Sequence, residues 1–440
     1  MITVIDRAVL PTVRNPGLRA GAARYLQIYE NFMRQVRATG IGVAPSEAEV
    51  SDQLAALRAQ GATFRNDGKS LVSNFLSPAC AACRQGHDSF TFFVSLKCHR
   101  SCFYCFNPNQ EGFDHYTEAL RDLPAELDEL KRSGRPVRYL ALTGGEPLLH
   151  PAEALAFFSQ ASQLFPDAHL RLYTTGDHLT PALVAALRDA GLDEIRFSIR
   201  MHDLADGHRH TFDRLALAKG IISTVMVEMP ILPGTLSTMQ AVLLDLDRLG
   251  VDGINLLELC YPRQHAQAFN QRDFAVRSQP YRVLYDYWYA GGLPIAGSES
   301  DCLALVAFAR RQGLRLGVHY CSLENKHTGQ IYQQNVGQKL PPTYVWSERD
   351  FFWKTIKAYA PDVHRVRRAL RGQPLELRRA GDEDGVLELH PSQVAVLRAA
   401  GVEVELGLSS NVWEARPDGQ YLRELRLDLV RPASFTLTDL

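Results

Sequence analysis

The sequence predicts an α/β protein built on a partial (βα)6 barrel of TIM-like form, with a helical N-terminal extension and a small C-terminal α/β domain. Three observations carry this expectation. From about Ser89 onward, short apolar, β-branched runs alternate with helix-period segments, the pattern of repeated βα units around a parallel sheet. The 440 residues exceed one ordinary core and leave room for a large central domain with smaller additions. Hydrophobic residues make up 46% and charged residues 22%, the balance of a globular chain.

The first strand is read at Phe90 to Leu96 and the second at Val137 to Thr143, with a cysteine loop and a helix near Thr117 to Arg132 between them. His169 to Thr175, Glu194 to Arg200, Thr224 to Met229 and Gly253 to Leu259 continue the rhythm as strands three to six. Helical stretches at Thr180 to Ala190 and Ser237 to Leu249 separate strands, and Thr180-Pro181 and Ser237-Thr238 supply first-turn and capping chemistry. Asp301 to Gln312 reads as a helix and Leu314 to Tyr320 as a further strand that would close the barrel. Upstream, Ala22 to Ala38 and Ser46 to Gln60 carry apolar residues at helix spacing. Beyond Arg371 the pattern turns to short strands broken by Gly381 to Gly385 and Arg416 to Gly419, with a helix near Pro391 to Ala400. The expected domains are 1–75, 76–335 and 336–440.

Net charge is −1, from 48 basic and 49 acidic residues, so no overall positive field gathers nucleic acid or anionic lipid. The N-terminus lacks the charged start and apolar core of a secretory signal. No apolar run reaches the roughly 18 residues that span a bilayer. A cytoplasmic protein without a membrane or nucleic-acid partner is expected. In a reducing compartment its eight cysteines point to metal or redox chemistry rather than to a disulfide framework.

Cys98, Cys102 and Cys105 stand at C-x3-C-x2-C spacing directly after the first strand. Thiolates are the standard ligands of iron-sulfur clusters, and three of them leave one iron of a [4Fe-4S] cube open to another ligand. A structural zinc site would call for four ligands, usually in Cys-x-x-Cys pairs. At the end of the second strand, Thr143-Gly144-Gly145-Glu146-Pro147 offers two glycines for close backbone approach and a carboxylate able to accept hydrogen bonds from an ammonium group.

With this spacing, Tyr104 just before the third cysteine, and Gly144-Gly145-Glu146-Pro147 matching the GGEP motif, the chain resembles the radical SAM superfamily over roughly residues 80 to 335. The resemblance implies that S-adenosylmethionine chelates the open iron through its amino and carboxylate groups. An electron from a donor such as flavodoxin or ferredoxin then cleaves it to methionine and a 5'-deoxyadenosyl radical that abstracts hydrogen from substrate. It further implies cofactor contacts from Tyr104, Gly144, Gly145, Glu146 and Pro147. Strand order and the resemblance add Thr174 and Thr175 with Gly176 on the third strand, Ser198 and Arg200 on the fourth, and, in the turn after the fifth, Ile231, which either offers adenine an apolar surface or packs in the core. Arg200 could pair with the methionine carboxylate in bidentate fashion.

Five further cysteines stand outside the triad. Cys80 and Cys83 form a C-x2-C pair, a favoured chelating spacing in both zinc and iron-sulfur sites. If they belong to a second [4Fe-4S] cluster, Cys321 is the first choice as third ligand and Cys302 as fourth; free buried thiols are the plainer reading. Cys260 ends the sixth strand, where parallel barrels gather functional groups. As a catalytic residue it would donate a hydrogen atom to the radical; a cluster ligand and a buried thiol are the alternatives. His202, His265 and Glu258 are further candidates for lining the opening.

The segment His319 to Gly329 and the turn Pro230-Ile-Leu-Pro-Gly234 look like proteins related to glycyl-radical activating enzymes, and the added cysteines and domains look like peptide-modifying members. The first expectation is hydrogen abstraction from a peptide or protein. A tailoring enzyme acting on an amino acid, sugar or nucleotide is the rival, and a nonenzymatic iron-sulfur sensor is the alternative from another class. A peptide would need an elongated groove and a small substrate a closed pocket.

Overall fold

The computed structural model describes residues 1–45, 50–201, 210–278, 292–373, 376–378 and 385–440, the side chains of 376–378 excepted. His202, residues 46–49 of the second expected helix and most of the turn at 381–385 lie outside the described residues. The chain divides into two compact units. One comprises Met1–Ala38 with Thr328–Leu440, and the other is drawn from residues between Thr39 and His327.

The larger unit is built on one sheet of nine strands: β1 (Thr63–Arg65), β2 (Ser70–Ser73), β3 (Ser89–Phe93), β4 (Tyr139–Thr143), β5 (His169–Thr174), β6 (Glu194–Phe197), β7 (Thr224–Ile231), β8 (Gly253–Glu258) and β9 (Gly317–Cys321). Their order is β1-β2-β9-β8-β7-β6-β5-β4-β3. All pairs from β3 through to β9 are parallel, while β2 is antiparallel to β9 and to β1. The six expected strands are present in the expected sequence, and the seventh, β9, lies beside β8. Its other neighbour is β2, so the strand expected to close the barrel is flanked instead by chain from the N-terminal segment. Among the described residues no pairing joins the sheet edges β1 and β3.

Alternation along these strands creates two unlike faces. Ile195, Phe197, Val225, Val227, Met229, Ile254, Leu256, Val318 and Tyr320 belong to the buried core on the helix side. That core includes Phe157 and Phe158 of the helix Pro151–Leu164 and Leu303 and Val306 of the helix Ser298–Arg311. The opposite face is polar. Arg196 hydrogen-bonds Glu228 at 2.6 Å, Asn255 Nδ2 reaches the same carboxylate at 2.7 Å, and His319 Nδ1 meets Asn255 Oδ1 at 2.9 Å.

Two local expectations change. The helix read from Thr117 to Arg132 is two helices, Phe113–Glu118 and Leu123–Arg132, because Asp122 caps Ala125 and Pro124 occupies the first turn of a new helix. Residues 1–75, expected to be helical, hold the helices Pro16–Ala38 and Ser51–Ala59 but also β1 and β2, and they are divided between the two units.

The smaller unit is an antiparallel sheet flanked by the long helix Pro16–Ala38 and by short ones. Its described strands run Ile2–Thr3, Gly419–Val430, Leu406–Arg416, Trp353–Ala358, Val386–Leu389, Glu376–Arg378, with Val345–Trp346 also paired to Trp353–Ala358. The Pro417-Asp418 turn closes the long hairpin, placing Arg416 opposite Gly419. Leu18 and Ala22 of the first helix bury against Tyr359, Leu427 and Leu429.

Candidate active site: the cysteine loop and the strand ends around it

The cysteine loop leaves β3 and is held first by backbone. Ser95 O accepts from Gly145 N at 3.2 Å, and Lys97 O accepts from Glu146 N at 2.8 Å, so the turn after β4 is fastened to the entry of the loop. At Gly145 an added Cβ would lie 1.9 Å from the Lys97 carbonyl oxygen, which makes glycine obligatory. Gly144 has φ +116° and lies against Phe93 and the Ser95 carbonyl. Past the third cysteine, Asn107 Nδ2 donates to Gly144 O at 2.6 Å and Asn109 Nδ2 to Pro262 O at 2.7 Å. Between the cysteines, Phe103 packs edge-on to Phe269 and to Tyr104.

Glu146, expected to face an ammonium group, is 1% exposed and already engaged. Its Oε1 accepts from Thr174 Oγ1 at 2.6 Å and Leu148 N at 3.1 Å, and its Oε2 from Thr175 N at 2.7 Å. The carboxylate therefore braces the end of β4 to the end of β5, with Pro147 buried behind it. Thr174 Oγ1 also accepts from Gly176 N at 2.9 Å. One residue on, Asp177 binds the loop itself: its Oδ2 meets His99 Nε2 at 2.6 Å and Arg100 Nε at 2.6 Å, and its Oδ1 meets His210 Nε2 at 3.1 Å. Burial raises the Asp177 carboxyl, but the hydrogen bonds from His99 and Arg100 outweigh it and hold the group below the ordinary range. Asp177, Asn107 and Phe103 were not legible as site residues from sequence, because each acts on a partner distant in the chain or through packing.

The three loop cysteines lie close enough to act on one another. Burial raises the Cys98 thiol against a hydrogen bond from the Arg100 amide, with Glu146 and Cys102 adding to the rise. Burial likewise raises Cys105 against the Asn107 amide, with Cys102 and Cys98 adding. Three partly accessible thiols on one short loop, with one sulfur already receiving an amide hydrogen bond, are a donor set that fits an iron-sulfur cluster.

The other expected site residues fall in different places. Ser198, exposed at the end of β6, donates to Glu228 O at 3.5 Å, while Arg200 is buried. Of the two places expected for Ile231, it takes the core and not the side of the adenine. It shares the outward alternation of Val225, Val227 and Met229, and its side chain is fully buried in the helix-side core. Cys260 follows β8 and pairs with Pro294. Burial pushes its thiol up to about 11, opposed by Lys326 and reinforced by Glu258 and Cys105, which places it toward the cysteine loop. His265 is exposed at the start of the helix Ala266–Asn270. Glu258 is buried, accepting from Arg277 Nη1 at 3.1 Å and Leu323 N at 2.8 Å. Cys80 accepts from Arg196 and Asn255, and Cys321 from Asn325. Cys302 departs from the expected fourth-ligand position: it lies in the helix-side core with its thiol toward Leu257 O at 3.9 Å.

Residues 93–243 match the model of the radical SAM superfamily, a family that uses a [4Fe-4S] cluster and S-adenosylmethionine. A protein of Methanocaldococcus jannaschii provisionally named a glycyl-radical enzyme activating enzyme is 24% identical over 271 residues, 58% of this chain and 65% of that protein. The chain thus spans just under two thirds of that relative's length. Among solved structures, the radical SAM enzyme coproporphyrinogen III oxidase from Escherichia coli is 17% identical, with 54% of this chain and 57% of that chain covered and a TM-score of 0.36. SuiB of Streptococcus suis, solved with its precursor peptide, is 9% identical, with 66% and 56% covered and a TM-score of 0.39. No helix among the described residues is long and apolar enough to cross a membrane. Over residues 93–243, with the cysteine loop and its glycine turn inside them, the chain is similar to the radical SAM superfamily.

Proposed function

We propose that this chain is an enzyme that holds a [4Fe-4S] cluster on Cys98, Cys102 and Cys105, binds S-adenosylmethionine there, and abstracts hydrogen from a peptide or protein. The observation that carries the reading is the fastening of Gly145 and Glu146 to Ser95 and Lys97, which sets the cysteine loop over the ends of β4 and β5. When bound, the cluster and S-adenosylmethionine supply a 5'-deoxyadenosyl radical on receipt of an electron from a donor of the flavodoxin or ferredoxin class.

The chain's own residues orient and enclose that chemistry. Gly144 and Gly145 bring backbone close to the loop, and Glu146 keeps Thr174 and Thr175 in register beside it. Arg200 would receive the methionine carboxylate, and Ser198 and Tyr104 would line the cofactor. Cys260 would give its thiol hydrogen atom to the substrate radical, and the thiyl radical left would return to the thiol on taking up a proton and a second electron from the same class of donor; Glu258 and Lys326 act on that thiol. A peptide or protein substrate is supported by the relative named for activation of a glycyl-radical enzyme.

The test uses the anaerobically reconstituted full chain with S-adenosylmethionine, dithionite and a fully deuterated peptide digest. Deuterium appearing in 5'-deoxyadenosine supports a peptide substrate. Transfer only from deuterated amino acids, sugars or nucleotides overturns that clause and leaves the cleavage reaction standing.

A further inference from the structure

The polar face of the sheet holds a second set of thiols away from the cysteine loop. Before β3, the short helix Pro78–Ala82 is anchored by Ser77, whose hydroxyl donates to Glu194 at 2.7 Å and accepts from Arg196 Nη2 at 3.0 Å. This seats Cys80 over the sheet. Its sulfur accepts from Arg196 Nη2 at 3.2 Å and from Asn255 Nδ2 at 3.3 Å. Cys83 follows one helical turn later, its amide donating to Cys80 O at 3.4 Å, so the two side chains share a side of that turn.

Asn255 leads from Cys80 to the third thiol. It pairs in register with His319 across β8 and β9, and Cys321 is two residues beyond His319, therefore on the same face. Since Nδ2 of Asn255 donates to Cys80 and Glu228, its Oδ1 accepts from His319 Nδ1, and His319 Nε2 accepts from Ser70 Oγ at 2.8 Å. Cys321 is buried, and Asn325 Nδ2 donates to its sulfur at 3.4 Å. Cys80 and Cys83 both act electrostatically on Cys321, so the three sulfurs occupy one neighbourhood.

Three cations and one carboxylate, Glu228, stand around them. Arg196 touches Cys80, Arg171 and Lys326 act on Cys83, and Lys326 acts on Cys321. Lys326 is half-buried, and among the described residues no hydrogen bond or ion pair engages its ammonium; the Cys321, Cys260 and Cys83 sulfurs and the Glu228 carboxylate act on it from nearby, so added negative charge on those thiols would complete it. Three thiolates on an iron-sulfur core carry a net negative charge that would do so. Among the described residues no three Cys, His, Asp or Glu side chains converge closely enough to hold a single metal ion. Thiolates bound to separate irons of a cluster need no such convergence. Zinc would also require a fourth ligand, and Cys302 is on the other face of the sheet.

We propose that Cys80, Cys83 and Cys321 hold a second iron-sulfur cluster on the polar face of the sheet, with Arg196 and Lys326 as its cationic surround. The proposal stands apart from what Cys98, Cys102 and Cys105 bind, and one variant separates the two. The full chain carrying Cys98→Ala, Cys102→Ala and Cys105→Ala is reconstituted anaerobically and assayed for iron, sulfide and zinc, with paramagnetic resonance after reduction. Retention of about four irons and four sulfides, with a reduced-cluster signal, supports the second site; background iron, or stoichiometric zinc without sulfide, overturns it. In the otherwise unchanged chain, Cys80→Ser with Cys83→Ser should lower iron by about half relative to the parent, whereas Cys302→Ser should leave it unchanged. Should the double variant fail to fold, Cys83→Ser alone, at an exposed position, gives the same reading; iron undiminished in a folded Cys83→Ser chain contradicts the assignment.

Discussion

The Cα of Gly145 stands so close to Lys97 that a methyl group there would lie 1.9 Å from the Lys97 carbonyl oxygen. The turn after β4 and the entry to the cysteine loop are therefore one backbone unit, joined by the Glu146 to Lys97 hydrogen bond at 2.8 Å. Gly145→Ala must push that carbonyl away, because backbone cannot yield as a flexible side chain does. We expect a loss at or above the upper end of the roughly 1–3 kcal/mol that overpacking costs, with cluster iron falling in parallel. Gly134→Ala is the control: at φ +66° with open space around it, it should cost only about 1 kcal/mol. Denaturant midpoints and iron content of the two variants check this, and equal losses would contradict it.

Glu146 supplies a second prediction. Glu146→Gln puts an amide donor against Thr175 N or Leu148 N in a buried site, where an unmet donor costs about 1–3 kcal/mol. Thr174→Val should lose a comparable amount, since the hydroxyl both donates to Glu146 and accepts from Gly176. Thr174→Ser keeps both bonds and should restore most of the stability. Thermal unfolding of the three variants decides it; a Ser variant no better than Val would sink the bracing role.

Asp177 is the charged clamp on the loop, meeting His99 and Arg100 from the end of β5. Asp177→Asn weakens both charge-assisted bonds, an effect on the order of 1–2 kcal/mol for a partly exposed group. Amides from Cys98 to Cys105 should exchange hydrogen faster by roughly tenfold, with little change in exchange along β7 and β8. Uniform protection across loop and sheet would remove the clamp from the account.

Glu258 gives a pH dependence. Burial pushes its carboxyl up to about 7, against the neighbouring Arg277 charge. A folded-state value above the unfolded one means the folded chain binds the extra proton. Its stabilising contribution is full below about pH 4.5 and is lost as pH rises through 7. Glu258→Gln retains an acceptor for Leu323 N and has no charge to desolvate. From pH 5 to pH 8 the parent should therefore lose up to about 3 kcal/mol relative to the variant. A difference between them that stays flat across this range contradicts the assignment.

Much of this was legible in the sequence because its signals are local. The C-x3-C-x2-C spacing, the glycine turn one strand later and the alternation that defines β3 to β8 each sit within a few residues. What escaped reading depends on long-range partners. The Asp177 clamp spans 78 residues to His99, and the Cys80 to Asn255 contact spans 175. Periodicity likewise could not show that Ser70–Ser73 would flank β9, or that Ile2–Thr3 would join the C-terminal hairpin, since a two- to four-residue strand has too few alternations to read. For Ile231 the sequence left adenine contact and core packing open, because its position after a strand suggested the site; the strand continues through it and directs it to the core.

The central claim is tested most directly by 5'-deoxyadenosine release from S-adenosylmethionine, measured on the anaerobically reconstituted, dithionite-reduced full chain. We predict release by the parent and none above background after Cys98→Ala, Cys102→Ala and Cys105→Ala together. Undiminished release by the triple variant, or no release by a parent chain shown to carry its iron, would contradict the account.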